Sequence, residues 1–198
     1  MKKSFRYIFC FSLFILFLCY SKTYSQQIPF LQQKGSTQQL VVHGKPFLIL
    51  GGELGNSTAS SLDYMQPFWE KFKAMNLNTI LVPAYWDMIE PEEGKFDFRL
   101  IDSIIKTSQE NNLKVVLLWF GSWKNSMSCY APDWIKINQS RFPRAQDKTG
   151  KGLEILSAFS KNNLDADKKA FGALMKHLKE TDKQQTVIMV QVENESEC

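Results

Sequence analysis

Apolar positions along the chain switch between two periods. Gln39 to Val42 and Phe47 to Leu50 are short apolar arms around His43-Gly44-Lys45-Pro46, which predicts a β-hairpin with a tight turn. The second arm runs into Gly51-Gly52-Glu53. Met65, Phe68, Trp69, Phe72 and Met75 then fall at helical spacing, predicting an amphipathic helix over about Leu62 to Asn76. Thr79 to Ala84 is apolar on both faces and predicts a buried strand. After a turn at Pro91 to Gly94, Asp97 is a candidate N-cap for a helix carrying Leu100, Ile101, Ile104 and Ile105. Lys114 to Phe120 predicts another buried strand. Gly121 to Asn163, rich in polar residues and carrying Pro132 and Pro143, is expected to be an ornamented loop. Phe171, Leu174, Met175 and Leu178 mark a further helix, and Thr186 to Val192 a fourth core strand.

Strands that are apolar on both faces and alternate with helices imply a parallel α/β sheet with right-handed crossovers. An open doubly wound sheet and a closed (β/α)8 barrel both begin this way. Gly51-Gly52-Glu53-Leu54-Gly55 lacks the dinucleotide-binding spacing, which weakens the nucleotide reading. We therefore expect the amino-terminal half of a (β/α)8 TIM barrel, preceded by a β-hairpin. A typical barrel needs about 250 residues, so the four core strands are expected to belong to a fragment or truncated product.

Composition changes the picture at the amino terminus. Lys2, Lys3 and Arg6 precede an apolar run from Phe9 to Tyr20, and small or tolerated residues follow at Thr23-Tyr24-Ser25. This is the pattern of a secretory signal peptide over residues 1–25, and the apolar run is short for a membrane span. Its removal takes away four basic residues and no acidic ones, so the formal charge of +4 becomes zero. Nothing then argues for nucleic acid as a partner. Cys10 and Cys19 leave with the signal, and Cys129 and Cys198 alone do not make a disulfide scaffold. The glutamine-rich residues 26–38 are expected to be a flexible lead-in, and 39–198 the domain. No cluster has metal-ligand spacing and no cofactor is implied.

The core strands end in unusual residues: Glu53 after the first, Trp86 after the second, Trp119 through Trp123 to Asn125 at the third, and Glu193-Asn194-Glu195 at the fourth. Aromatic rings stack on the CH faces of sugars, while amides and carboxylates suit their hydroxyls. Core packing is the competing role for Trp86 and Trp119, and loop anchoring for Glu90. Strand alternation puts Glu193 and Glu195 on the same side, so spacing alone does not choose between them.

Asn78-Thr79, the run Trp86…Glu90-Pro91…Gly94…Phe96-Asp97-Phe98, and Val190-Gln191-Val192-Glu193-Asn194-Glu195, taken in order, resemble the clan A glycoside hydrolases, and most closely glycoside hydrolase family 35, the β-galactosidase family. The resemblance implies a retaining glycosidase of β-galactosides or related glycans. In it Glu195 is the general acid/base, and Asn194 and Asn125 contact the sugar, with Trp123, Trp86, Trp119 and Glu53 as further substrate-binding candidates. A nucleophilic Glu at the end of the seventh strand completes the pair, about 5–5.5 Å from the acid. That residue lies beyond this chain, which is expected to be inactive alone. Two departures concern the substrate: Ser126-Met127 replaces the family's Ala-Glu, and Ser196-Glu197 its Tyr-Gly. A non-catalytic carbohydrate-binding or pseudoenzyme product is the alternative from another class. A sugar-unrelated open-sheet protein is the third. The protein is expected to be exported, to the periplasm, cell surface or exterior.

Overall fold

The computed structural model describes residues 28–192. The expected signal segment and the terminal residues 193–198, including Glu193, Asn194 and Glu195, lie outside the described residues.

The chain opens with a three-stranded antiparallel meander, β1 (Phe30–Lys34), β2 (Thr37–Val42) and β3 (Lys45–Pro46). Residues 30–34, expected to be part of a flexible lead-in, thus form a strand paired along its length with β2. Their side chains are mostly exposed, so the strand is held by backbone pairing rather than by an apolar face. His43 and Gly44 form the two-residue turn between β2 and β3, with φ of 52° and 72°. Positive φ at both positions gives a turn that follows the strand twist. Phe47 to Leu50, expected as a strand, instead leads into β4 (Gly51–Glu53).

The core is a parallel sheet in the order β4-β5-β6-β9, with β5 Thr79–Tyr85, β6 Lys114–Phe120 and β9 Val187–Gln191. Register pairs Gly51 with Thr79, Thr79 with Lys114, and Leu118 with Gln191, so all four strands run toward one rim. The order follows the chain, as in a barrel that adds one strand per helix.

The first connection is broken where one helix was predicted. α1 (Leu62–Met65) is capped by the Ser61 hydroxyl, which accepts the Tyr64 N–H. Pro67 sits in a 3-10 turn, Gln66–Phe68, because its ring lacks the N–H that a continuous helix needs. α2 (Trp69–Ala74) follows. A short α3 (Trp86–Ile89) and α4 (Arg99–Glu110) connect β5 to β6. Asp97 precedes the N-cap position, taken by Phe98, but its carboxylate still accepts the Arg99 N–H at 3.0 Å. Asn76 and Asn112, both at φ near 55°, turn the chain out of α2 and α4 toward the next strand.

The expected loop of Gly121 to Asn163 carries structure of its own: α5 (Asp133–Lys136) and a hairpin of β7 (Arg144–Gln146) and β8 (Gly152–Leu156). α6 (Lys161–Thr181) then packs Ala170, Leu174 and Leu178 against the sheet.

The meander lies at the opposite end from the rim. His43 Nε2 is 2.8 Å from Nζ of Lys114, the first residue of β6, while Val41 and Val42 are buried.

Candidate active site

Parallel strands deliver their last residues to one end, where (β/α)8 enzymes build their sites. On one face of the sheet, Tyr85 at the end of β5 meets Phe120 at the end of β6, ring centroids 5.9 Å apart, and both meet Tyr130. The Tyr85 hydroxyl donates to the Asn56 carbonyl at 2.6 Å, tying the loop after β4 to the same cluster. Burial pushes the Tyr85 phenol well above its ordinary value, so it serves as a neutral donor. The buried Lys124 places Nζ 5.0 Å over the Phe120 ring. Loops following three successive strands therefore converge at this rim.

On the helix side, Trp119 packs against Phe171 of α6, centroids 5.7 Å apart. A cleft of about 520 Å³ opens where α6 begins beside the ends of β6 and β9. Trp119, Trp123, Leu164, Phe171 and Val192 give it apolar walls, and Ser122, Asn163, Asp167 and Lys168 give it polar ones. That size and mixture suit a small polar ligand with an apolar face.

The six candidate substrate contacts and the acid/base fall into separate groups. Trp123 is half-buried and lines the cleft together with Val192, the last described residue after β9. Asn125 is exposed and shares with Ser126 the turn between Lys124 and Met127, which exchange backbone hydrogen bonds of 2.8 and 3.0 Å. Both central residues have positive φ, 53° and 56°, a conformation asparagine tolerates well. Glu53 is exposed at the end of β4, with β5 and β6 between it and β9. Asn194 and Glu195 lie outside the described residues.

Trp86 and Trp119, expected as substrate contacts, are packed in the core. Trp86 is 0 % exposed, donates its indole N–H to Glu90 Oε2 at 2.9 Å and meets the Trp134 ring edge-on. Trp119 is 1 % exposed and donates to Asp167 Oδ1 at 2.7 Å. Each satisfies its single polar atom inside the core and presents almost no ring face to solvent. Glu90 is also buried: its Oε1 accepts the Gly94 N–H at 2.7 Å, so it anchors the loop rather than lining the mouth.

Sequence reasoning overlooked Asp167, Ser122 and Ser128. The Ser128 hydroxyl donates to the Ser122 carbonyl at 2.5 Å and accepts the Leu156 N–H at 2.7 Å. No local spacing marks these residues: Ser122 and Ser128 meet across a six-residue loop, and their other partners, Asp167 and Leu156, come from elements distant in the chain.

The parallel sheet and its rim define a fold class: part of a (β/α)8 barrel. Residues 63–198 match the model of glycoside hydrolase family 42, described as β-galactosidase, and the chain belongs to that family. Family 42 therefore replaces family 35; the strand-end motifs were specific to the clan but not to the family. A β-galactosidase of Xanthomonas manihotis is 29 % identical over 82 residues, covering 40 % of this chain and 14 % of that protein. Among solved structures, a cold-adapted β-galactosidase from Rahnella sp. R3 superposes with a TM-score of 0.60 at 21 % identity, covering 76 % of this chain and 22 % of that one. An exo-β-1,4-mannosidase, Op5Man5, from Opitutaceae bacterium strain TAV5 gives 0.54 at 15 % identity, covering 77 % and 26 %. The chain thus spans about a quarter or less of these relatives' lengths. Among the described residues no helix is long and apolar enough to cross a membrane.

Proposed function

We propose that this chain supplies the acid/base half of a retaining glycosidase that acts on β-galactosides or related glycans. Glu195 is the general acid that protonates the leaving oxygen and then the base that activates water. A second carboxylate, on a later strand of the barrel, traps the sugar. The first step needs this acid protonated, and a negatively charged partner carboxylate nearby favours that form. Trp123 stacks on the sugar, and Asn194, Asn125 and Glu53 bind its hydroxyls. Trp86, buried in the core, supports the rim from behind, and Trp119 backs the cleft wall with its indole N–H held by Asp167. The protein is exported through the signal segment of residues 1–25.

One observation carries this reading. Val192, three residues before Glu195, lines the same cleft as Trp123, so the end of β9 and the aromatic residue share one opening, on the helix side of the strand ends.

The test is hydrolysis of a nitrophenyl β-galactoside by a polypeptide extended to all eight strands, with the released anomer followed by proton NMR. Retention is expected, and Glu195→Gln lowers kcat by about 10²–10⁴-fold. Inversion, or full activity in the Gln variant, contradicts the assignment.

A further inference from the structure

We propose that Asp167 is a positioning residue for the sugar site, acting through the backbone of Ser122; this rests on the function proposed above. Asp167 lies on α6 and is only 7 % exposed. Its carboxylate reaches across to the end of β6 and takes two donors there. Oδ1 accepts the Trp119 indole N–H at 2.7 Å, and Oδ2 accepts the Ser122 backbone N–H at 2.6 Å. Both bonds are charge-assisted, the stronger kind.

Gly121 lies between those two donors. A Cβ there would fall 2.4 Å from Trp119 Nε1 and 2.5 Å from Asp167 Oδ2. Only glycine lets the strand end come this close to the carboxylate.

Ser122 is also held on its carbonyl side, in the next peptide. Its carbonyl accepts the Ser128 hydroxyl, which in turn accepts the Leu156 N–H of β8. The Ser128 N–H also donates to the Glu154 carbonyl at 3.1 Å. Both peptides of Ser122 are thus clamped, the one before it at its N–H by α6 and the one after it at its C=O, through Ser128, by the β7–β8 hairpin. Trp123 follows Ser122 directly, and the Asn125-Ser126 turn lies between Ser122 and Ser128. The clamp sets where the stacking ring and the turn asparagine stand relative to the cleft.

A buried carboxylate adds little net stability over a packed apolar group of similar shape. Its specific contribution here is direction: two fixed acceptors spaced to match an indole and a backbone amide three residues apart.

The experiment compares the full chain with Asp167→Asn, Ser128→Ala and, as a stability control away from the loop, Glu90→Gln. Amide exchange is measured across residues 121–128. Galactose affinity is measured by titration of tryptophan fluorescence, at a temperature where every variant is folded. Asn offers one acceptor and one donor, so one of the two N–H groups at the strand end loses its partner. Exchange at Ser122 to Ser128 is expected to rise by about tenfold or more in Asp167→Asn and Ser128→Ala, and galactose affinity to fall by about tenfold. Glu90→Gln, although less stable, keeps the parent affinity and loop exchange. A parent chain that binds galactose, with Asp167→Asn and Ser128→Ala binding as tightly, overturns the positioning role and leaves the function standing. A parent chain that binds no galactose leaves the function to the eight-strand hydrolysis test above. The loop exchange then decides the clamp by itself: unchanged rates overturn it, and faster rates support it.

Discussion

Glu90 offers the sharpest test of how the rim is held together. Its carboxylate is 1 % exposed and receives two donors: the Trp86 indole N–H at 2.9 Å and the Gly94 N–H at 2.7 Å. Its backbone carbonyl receives the Trp134 indole at 3.1 Å, a bond that survives side-chain substitution. Glu90→Ala removes both acceptors and leaves the indole N–H of a fully buried tryptophan unpaired. Hydrogen bonds to charged groups contribute about 1.5–3 kcal/mol each, and part of that is recovered if water reaches the Gly94 turn. The expected loss is therefore about 3–5 kcal/mol, or roughly 10 °C in Tm for a domain of this size. Glu90→Gln keeps an acceptor for Gly94 but turns an N–H toward the indole, so its loss is about half as large. Adding Trp86→Phe removes the opposing donor, and a double-mutant cycle then shows positive coupling between the sites. Urea unfolding followed by near-ultraviolet circular dichroism measures the parent and each variant. A loss below about 1 kcal/mol in Glu90→Ala would refute the anchoring account, since that is the range of a solvated surface change.

Two further predictions concern pH. Burial, and then the Lys114 charge, hold the pKa of His43 below its usual 6.5, with Asp182 opposing. The folded state binds this proton less readily than the unfolded chain, so stability falls as pH drops below 6.5 toward the lower folded value. His43→Asn, which tolerates the φ of 52°, should flatten the stability profile between roughly pH 7 and 5, and an unchanged slope counts against the contact. Asp87 behaves oppositely: burial is the largest cause raising its carboxyl above the usual 3.8, Lys136 pulls it back, and its buried Oδ1 has no hydrogen-bond partner. It costs stability above its folded pKa, and that cost vanishes below 3.8. Asp87→Asn should be more stable than the parent at neutral pH and equal to it in acid; equal stability at neutral pH contradicts the reading.

The elements best anticipated by pattern are those whose burial is dense and local. β6 occupies the predicted Lys114–Phe120, and β5 exceeds its prediction only by Tyr85. β1 escaped because Leu31, Gln32 and Gln33 give no alternating apolar face, and the strand is fixed by its partner β2. The β7–β8 hairpin escaped for the same reason, being short and mostly exposed. α6 begins ten residues before its first predicted apolar marker, because the Ser160 cap and the buried Asn163 and Asp167 hold its polar first half. The site was legible in part. Strand-end chemistry pointed to the rim, but a tryptophan reads the same whether it packs or stacks, so the sequence did not separate the buried Trp86 and Trp119 from the half-buried Trp123. Asp167 was invisible because its donors lie 45 and 48 residues earlier in the chain.

The central claim is that the shared carboxyl-terminal rim of β4, β5, β6 and β9 holds a sugar, and backbone chemical-shift mapping during a galactose titration tests it most directly. The account predicts shifts concentrated at Trp123, Asn125 and the residues from Val192 to Glu195, with His43 and Lys114 at the opposite end unmoved. Saturable shifts confined to the His43–Lys114 end, or no saturable shift at the rim, contradict it.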